Sequence, residues 1–148
     1  QRQMCIRDRV NTSRDEKLWP EDHWMKLGCA LAKEGISPVL YWGGAKEEAR
    51  CRRIAAGIPG AAVAPKARLR DVAAGLAQAQ LMIGVDTGLT HLAAAMGIPS
   101  VGIFVATPTA TLRLIGDGPA ESLGGIKQIP SVEDILAAAH RVMATETN

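Results

Sequence analysis

The chain has 148 residues, of which 47% are apolar, 22% charged and only 3% aromatic, with a formal net charge of +2. That length suits one globular domain whose core rests on Ala, Leu, Ile and Val, and the apolar content excludes a disordered chain. A charge this small, with the basic residues scattered, excludes a nucleic-acid partner recognised through electrostatics.

No apolar run approaches the ~20 residues of a transmembrane helix, and the first residues lack the apolar centre of a signal peptide. Cys5, Cys29 and Cys51 are odd in number and lack metal-ligand spacing, which fits buried or idle thiols in a reducing cytosol. Residues 1–9, Gln-Arg-Gln-Met-Cys-Ile-Arg-Asp-Arg, resemble the translated sequencing-adaptor segment that recurs at the ends of assembled reading frames. They are expected to be foreign to the natural chain and are set apart from the fold. The domain is expected to run from 10 to 148, with everything natural before Val10 lost.

Pro20, Glu21 and Asp22 mark a helix start, with proline in the first turn and acids at the positive end of the dipole. Trp24, Leu27, Gly28 and Leu31 then fall on one face, and Gly35 closes the helix. Pro38 to Trp42 is expected to be a strand, Gly43-Gly44 a turn, and Ala45 to Ala56 a charged helix ending at Gly57. Ala61 to Ala64 reads as a short strand before Pro65, and Leu69, Val72, Ala73 and Leu76 as the face of a third helix. Leu81 to Val85 is a buried strand, and Leu92 to Met96 continue a helix that Gly97 and Pro99 stop. Ser100 to Phe104 is the next strand. A region dotted with proline and glycine follows, and then Ser131-Val132-Glu133-Asp134 resembles a capping box. It opens a last helix with Val132, Ile135, Leu136, Ala139 and Met143 on one face.

Strands alternating with helices, and strands apolar enough to be buried on both sides, predict an α/β sandwich around a parallel sheet. In such sheets ligands bind at the carboxyl ends of the strands. The loops there are Thr12–Lys17, Trp42–Glu47, Ala64–Ala67, Asp86–His91 and Val105–Pro108. Asp86, Thr87 and Gly88 fall at a helix N-terminus, where backbone N–H groups and the helix dipole suit a phosphate. The same residues also make an ordinary helix cap. His91, one turn on, is either a ligand contact or a satisfied interior histidine.

Two stretches, Asn11-Thr12-Ser13-Arg14-Asp15-Glu16-Lys17-Leu18-Trp19-Pro20-Glu21 and Gly84-Val85-Asp86-Thr87-Gly88-Leu89-Thr90-His91, carry a specific likeness. Together with the Trp-Gly at Trp42-Gly43, in this order and at these separations, they resemble the lipopolysaccharide heptosyltransferases of glycosyltransferase family 9. The resemblance covers nearly all of residues 10–143. It implies the Rossmann-like C-terminal half of a GT-B glycosyltransferase. The whole enzyme would transfer L-glycero-D-manno-heptose from ADP-heptose to a Kdo sugar of lipid A–Kdo, with inversion. It would work in the cytoplasm of a Gram-negative bacterium, at the inner face of the inner membrane.

Carried over by position, the resemblance implies that Thr12, Ser13 and Lys17 meet the pyrophosphate and sugar of the donor. Glu47 would hold the ribose hydroxyls, and the Lys66-Ala67 backbone would line the adenine. Asp86 would bind heptose hydroxyls, with Thr87, Gly88 and His91 beside the phosphates. No metal and no tightly bound cofactor are implied, since a lysine, hydroxyls and a helix N-terminus can stabilise a leaving diphosphate. No catalytic residue is expected in this chain: the general base and most of the acceptor site belong to an N-terminal domain that is absent from it. Trp19, Trp24 and Trp42 are expected to pack rather than stack on a ligand; His23 and His140 read as surface residues.

Two positions depart from the family pattern: Val10 stands where a histidine is usual, and Val105-Ala106-Thr107-Pro108-Thr109 replaces a Gly-Pro-Thr-Asp-Pro-like turn. The alternatives are a family 9 transferase with another acceptor, such as a second heptosyltransferase type, and a non-catalytic nucleotide-binding module. A redox Rossmann domain is rejected because no Gly-x-Gly-x-x-Gly follows a strand.

Overall fold

The computed structural model describes residues 2–7, 19–43, 45–66, 68–85, 88–104, 119–124 and 129–146. Along them run β1 (Arg2–Arg7), α1 (Glu21–Lys33), β2 (Ile36–Tyr41), α2 (Ala45–Ala56), β3 (Ala62–Val63), α3 (Leu69–Ala77), β4 (Leu81–Val85), α4 (Gly88–Ala95), β5 (Ser100–Phe104), β6 (Ala120–Gly124) and α5 (Val132–Glu146). The six strands form one parallel sheet in the order β3-β2-β1-β4-β5-β6. This is the expected α/β class.

Most elements form where local chemistry favours them. α1 starts after Pro20, carries Glu21 and Asp22 in its first turn and Lys33 in its last, and buries Trp24, Leu27, Gly28 and Leu31. Gly35, at φ +81°, turns the chain into β2 through a conformation open to glycine without strain. α2, β4 and β5 have the expected bounds. At α5 the backbone N–H of Asp134 donates to the Ser131 hydroxyl at 3.1 Å, so Ser131 caps the helix as expected. Its most buried side is Ile135, Ala138, Ala139 and Val142, with Val132, Leu136 and Met143 flanking it.

Three features differ from the sequence reading. Residues 2–7, set apart from the fold, supply β1, the strand between β2 and β4. It pairs from Arg2↔Ile36 to Arg7↔Tyr41 on one side and from Met4↔Leu81 to Arg7↔Gly84 on the other. The sheet therefore extends beyond the expected boundary at residue 10. Physically, the inner edges of β2 and β4 carry backbone donors and acceptors that need a partner, and the extended segment at 2–7 meets both. β2 begins at Ile36 and runs through Pro38. Proline is admitted because β3 pairs only at Val39 and Leu40, which leaves β2 unpaired on that side at Pro38. β6 was not anticipated, since Ala-Glu-Ser-Leu-Gly has little strand propensity; it forms as an edge strand, half-buried throughout, on β5 alone.

Both faces of the sheet are covered. Leu81, Ile83 and Val85 of β4, with Val101 and Ile103 of β5, join Trp19, Leu27, Leu31, Ile54, Ile135 and Ala139 in one cluster. Met82, which points the other way as strand alternation requires, packs with Leu76, Ala93 and Ile98. Helices α1, α2 and α5 thus cover one face and α3 and α4 the other. The chain leaves β1 toward one face and β4 toward the opposite one, and these two strands are neighbours. Their carboxyl ends form a topological switch point.

Gly28 shows how closely α1 seats: a Cβ there would lie 2.3 Å from Ile58 Cδ1 and 2.8 Å from Cγ1. Gly28→Ala is expected to cost about 1–3 kcal/mol by overpacking. Paired with Ile58→Ala, it should cost less than the sum of the two single changes. Denaturant melts of the three variants check this; strict additivity would mean that the side chains do not compete for the same space.

Candidate functional site

Arg7 of β1 pairs with Gly84 of β4, so the chain leaves these two strands side by side, about 5 Å apart. The segments that continue from them contain Thr12, Ser13, Lys17, Asp86 and Thr87, all of which lie outside the described residues, as does Ala67. Gly88 is the first residue of α4, so its backbone stands at the helix N-terminus facing that edge. His91, one turn further, is half-buried and has a partner.

The turn into α4 is closed from within the helix. Thr90 is fully buried, and its hydroxyl donates to the carbonyl of Val85, the last residue of β4, at 2.9 Å. That bond spans Asp86 to Leu89 and holds the helix start against the strand end. The cap expected at Asp86 or Thr87 lies outside the described residues, and the bond from Thr90 was not anticipated. Its signal was a threonine five residues past the end of an apolar strand, where a hydroxyl can reach back.

On the other side of β1, the loop after β2 is held by Glu47. This carboxylate is only 6% exposed, and its Oε2 accepts from the Gly43 N–H at 2.5 Å. Its neighbour Glu48 instead forms an ordinary surface pair with Arg52, one turn on, at 3.0 Å. The two adjacent acids therefore have different fates. Glu47 lies in the first turn of α2, where the helix dipole favours a carboxylate. Trp42 is half-buried, and its indole N–H donates to the Ala64 carbonyl at 2.5 Å, tying the loop after β2 to the one after β3. It packs, as expected, but it also braces the loop that leads to the exposed Lys66. Glu47 and the Ala64–Lys66 loop thus sit together on adjacent strands. β1 separates them from β4, so Glu47 and Gly88 belong to strand ends about 10 Å apart.

The start of α1 is the third anchored point. Trp19 is fully buried; its indole N–H donates to the Pro130 carbonyl at 3.0 Å, and its ring meets Trp24 edge-on at 4.7 Å. Arg50 of α2, also buried, donates to the Trp19 carbonyl at 2.5 Å and to Glu21 at 3.0 Å. Residue composition offered no sign of this arginine's role. His23 packs against the Trp19 ring and touches Asp22, holding the Asp22 carboxyl below its usual range. His140 is exposed and meets Glu34 at 2.7 Å. An open cleft of about 250 Å³ lined by Leu123, Gly124, Ile129, Pro130 and Asp134 lies at the β6 edge. Among the described residues no three His, Cys, Asp or Glu are grouped as a metal site, and no helix is long and apolar enough to cross a membrane.

A doubly wound parallel sheet covered by helices on both faces defines a Rossmann-like α/β domain. Residues 9–134 match the model of glycosyltransferase family 9 (heptosyltransferase), and the chain belongs to that family. It is 45% identical over 96 residues to lipopolysaccharide heptosyltransferase 1 of Escherichia coli K12, a match covering 65% of this chain and 30% of that protein. Lipopolysaccharide heptosyltransferase 3 of the same strain is 35% identical over 95 residues, covering 62% of this chain and 28% of that one. Among solved structures, an E. coli heptosyltransferase with ADP-2-deoxy-2-fluoro heptose superposes with TM-score 0.72 at 33% identity. That superposition covers 99% of this chain and 43% of that one. The chain therefore spans less than half the length of these relatives.

If Thr90 holds the turn, Thr90→Val should lower stability by about 1–3 kcal/mol despite its matched shape, because it deprives a buried carbonyl of its donor. Thermal melts of the two proteins check this. An unchanged melting temperature would show that the hydroxyl contributes nothing to the turn.

Proposed function

We propose that this chain is the donor-binding half of a heptosyltransferase and binds ADP-L-glycero-D-manno-heptose at the carboxyl edge of its sheet. The observation that carries the reading is topological. The Thr-Ser…Lys and Asp-Thr-Gly segments both continue from the strands of the switch point, while Glu47 is held buried at the adjacent strand end. The E. coli structures with ADP-2-deoxy-2-fluoro heptose and with ADP, at 33% identity, support a nucleotide-sugar donor.

In this reading the α4 N-terminus at Gly88, with Thr87 and His91, faces the phosphates, and Thr12, Ser13 and Lys17 complete that side. Glu47 accepts from the ribose hydroxyls with the carboxylate that Gly43 orients. Ala67 lines the adenine, and Asp86 grips heptose hydroxyls. As the glycosidic bond to ADP breaks, negative charge grows on the diphosphate. Lysine, hydroxyls and helix amides aimed there stabilise it more in the transition state than in the ground state. The whole protein would transfer heptose to Kdo of lipid A–Kdo with inversion, the base and acceptor site lying in the part of its relatives that this chain does not span. The higher identity to the type 1 than to the type 3 relative supports that acceptor. An acceptor anchored in lipid would bring the enzyme to the cytoplasmic face of the inner membrane.

Calorimetric titration of the 148-residue chain with ADP tests the donor site, and absence of binding would overturn it. Glu47→Gln keeps an acceptor for Gly43 but exchanges charged for neutral hydrogen bonds, so ADP affinity should fall about three- to tenfold with little change in melting temperature. In the whole enzyme, Asp86→Asn should weaken ADP-heptose binding and leave ADP binding intact, since asparagine caps a helix about as well as aspartate. Equal loss of both ligands would remove Asp86 from the sugar.

A further inference from the structure

The basic residues are scattered along the sequence, but the fold gathers several of them. Seven of the 17 Lys and Arg fall between 43 and 70, against two of the 15 acids. Three of the seven are paired within the domain: Arg50 and Arg53 with Glu21, and Arg52 with Glu48. The other acid of the stretch, Glu47, is buried against the Gly43 N–H. That leaves Lys46, Lys66, Arg68 and Arg70. All four are exposed, and their side chains make no hydrogen bond or ion pair with any described residue.

Topology puts these four at one corner of the domain. Lys46 follows β2 and Lys66 follows β3, the edge strand, and the bond from Trp42 to the Ala64 carbonyl ties the two loops together. Arg68 is the N-cap of α3, and Arg70 stands in its first turn beside one acid, the exposed Asp71. Lys46 is likewise in the first turn of α2. Three of the four cations thus stand at the positive ends of helix dipoles, where an acid would stabilise and a cation does not. They weaken the helices they begin, so their use lies outside the fold. We propose that this corner docks the domain on an anionic lipid surface, such as a bilayer rich in phosphatidylglycerol. Clustered cations without local counter-charges are what such a surface attracts, and the attraction acts within a Debye length. In the rest of the chain acids outnumber bases, which confines the attraction to one side. The nearest aromatic residue, Trp42, is half-buried and tied to Ala64, so it offers no platform on which the bases of a single strand could stack. The choice of lipid among polyanions rests on the lipid-anchored acceptor of the reading above.

Cosedimentation of the 148-residue chain with vesicles tests the proposal. Vesicles of equal parts phosphatidylglycerol and phosphatidylcholine should bind the chain at low salt, and phosphatidylcholine alone should not. Each cation near an anionic surface raises partitioning about fivefold, so Arg68→Gln with Arg70→Gln should lower it at least about tenfold. Lys26→Gln with Lys33→Gln removes the same charge from exposed positions on α1, which covers the opposite face from α3, and should change partitioning by less than about twofold. Equal losses in the two pairs would reduce the effect to net charge and overturn the corner. Binding to neither vesicle, or equally to both, would overturn the lipid. So would tight binding of a short duplex DNA by a chain that ignores the vesicles. The vesicle assay contains no nucleotide, so a failed ADP titration would overturn the donor reading separately.

Discussion

A parallel sheet cannot leave either face in water, and the rest of this protein follows from that constraint. β4 is buried along its whole length, with alternate side chains entering two separate clusters. Each face needs helices, so the chain must wind first one way and then the other from a central strand. β1 and β4 are where the winding reverses. Their carboxyl ends open a crevice that no connecting helix can cover, which is why polar chemistry collects there.

That edge is held by side chains that bond the backbone of strand ends and loops. Thr90 holds the end of β4, Glu47 holds Gly43 after β2, and Trp42 ties that loop to Ala64 after β3. Arg50 holds Trp19 at the start of α1. Single bonds of this kind contribute about 1 kcal/mol net, but losing one partner leaves a buried polar group unsatisfied and costs more. Four points at that edge are therefore held by side chains bonded to backbone carbonyls or amides.

The contrast between Glu47 and Glu48 shows the limit of reading residues by type. Side by side in sequence, one is buried against the loop and the other pairs with Arg52 at the surface. The family likeness singled out Glu47; nothing in local composition did. Arg50 was invisible for the same reason, because its partners lie 29 and 31 residues away in sequence.

The amino-acid sequence by itself determined α1, α2, β4, β5 and the Ser131 cap, because proline, glycine, helix periodicity and continuous apolar runs act over a few neighbours. It also carried the family, through two motifs at matching distances. Tertiary structure alone decided the strand order, the place of residues 2–7 between β2 and β4, and the passage of β2 through Pro38. It likewise decided that the weakly strand-forming β6 would complete the edge of β5. In each case backbone groups on one strand supplied what the other lacked. Hydrogen bonding between distant segments outweighs local propensity wherever a sheet has an unmet edge, and no short window of sequence contains that edge.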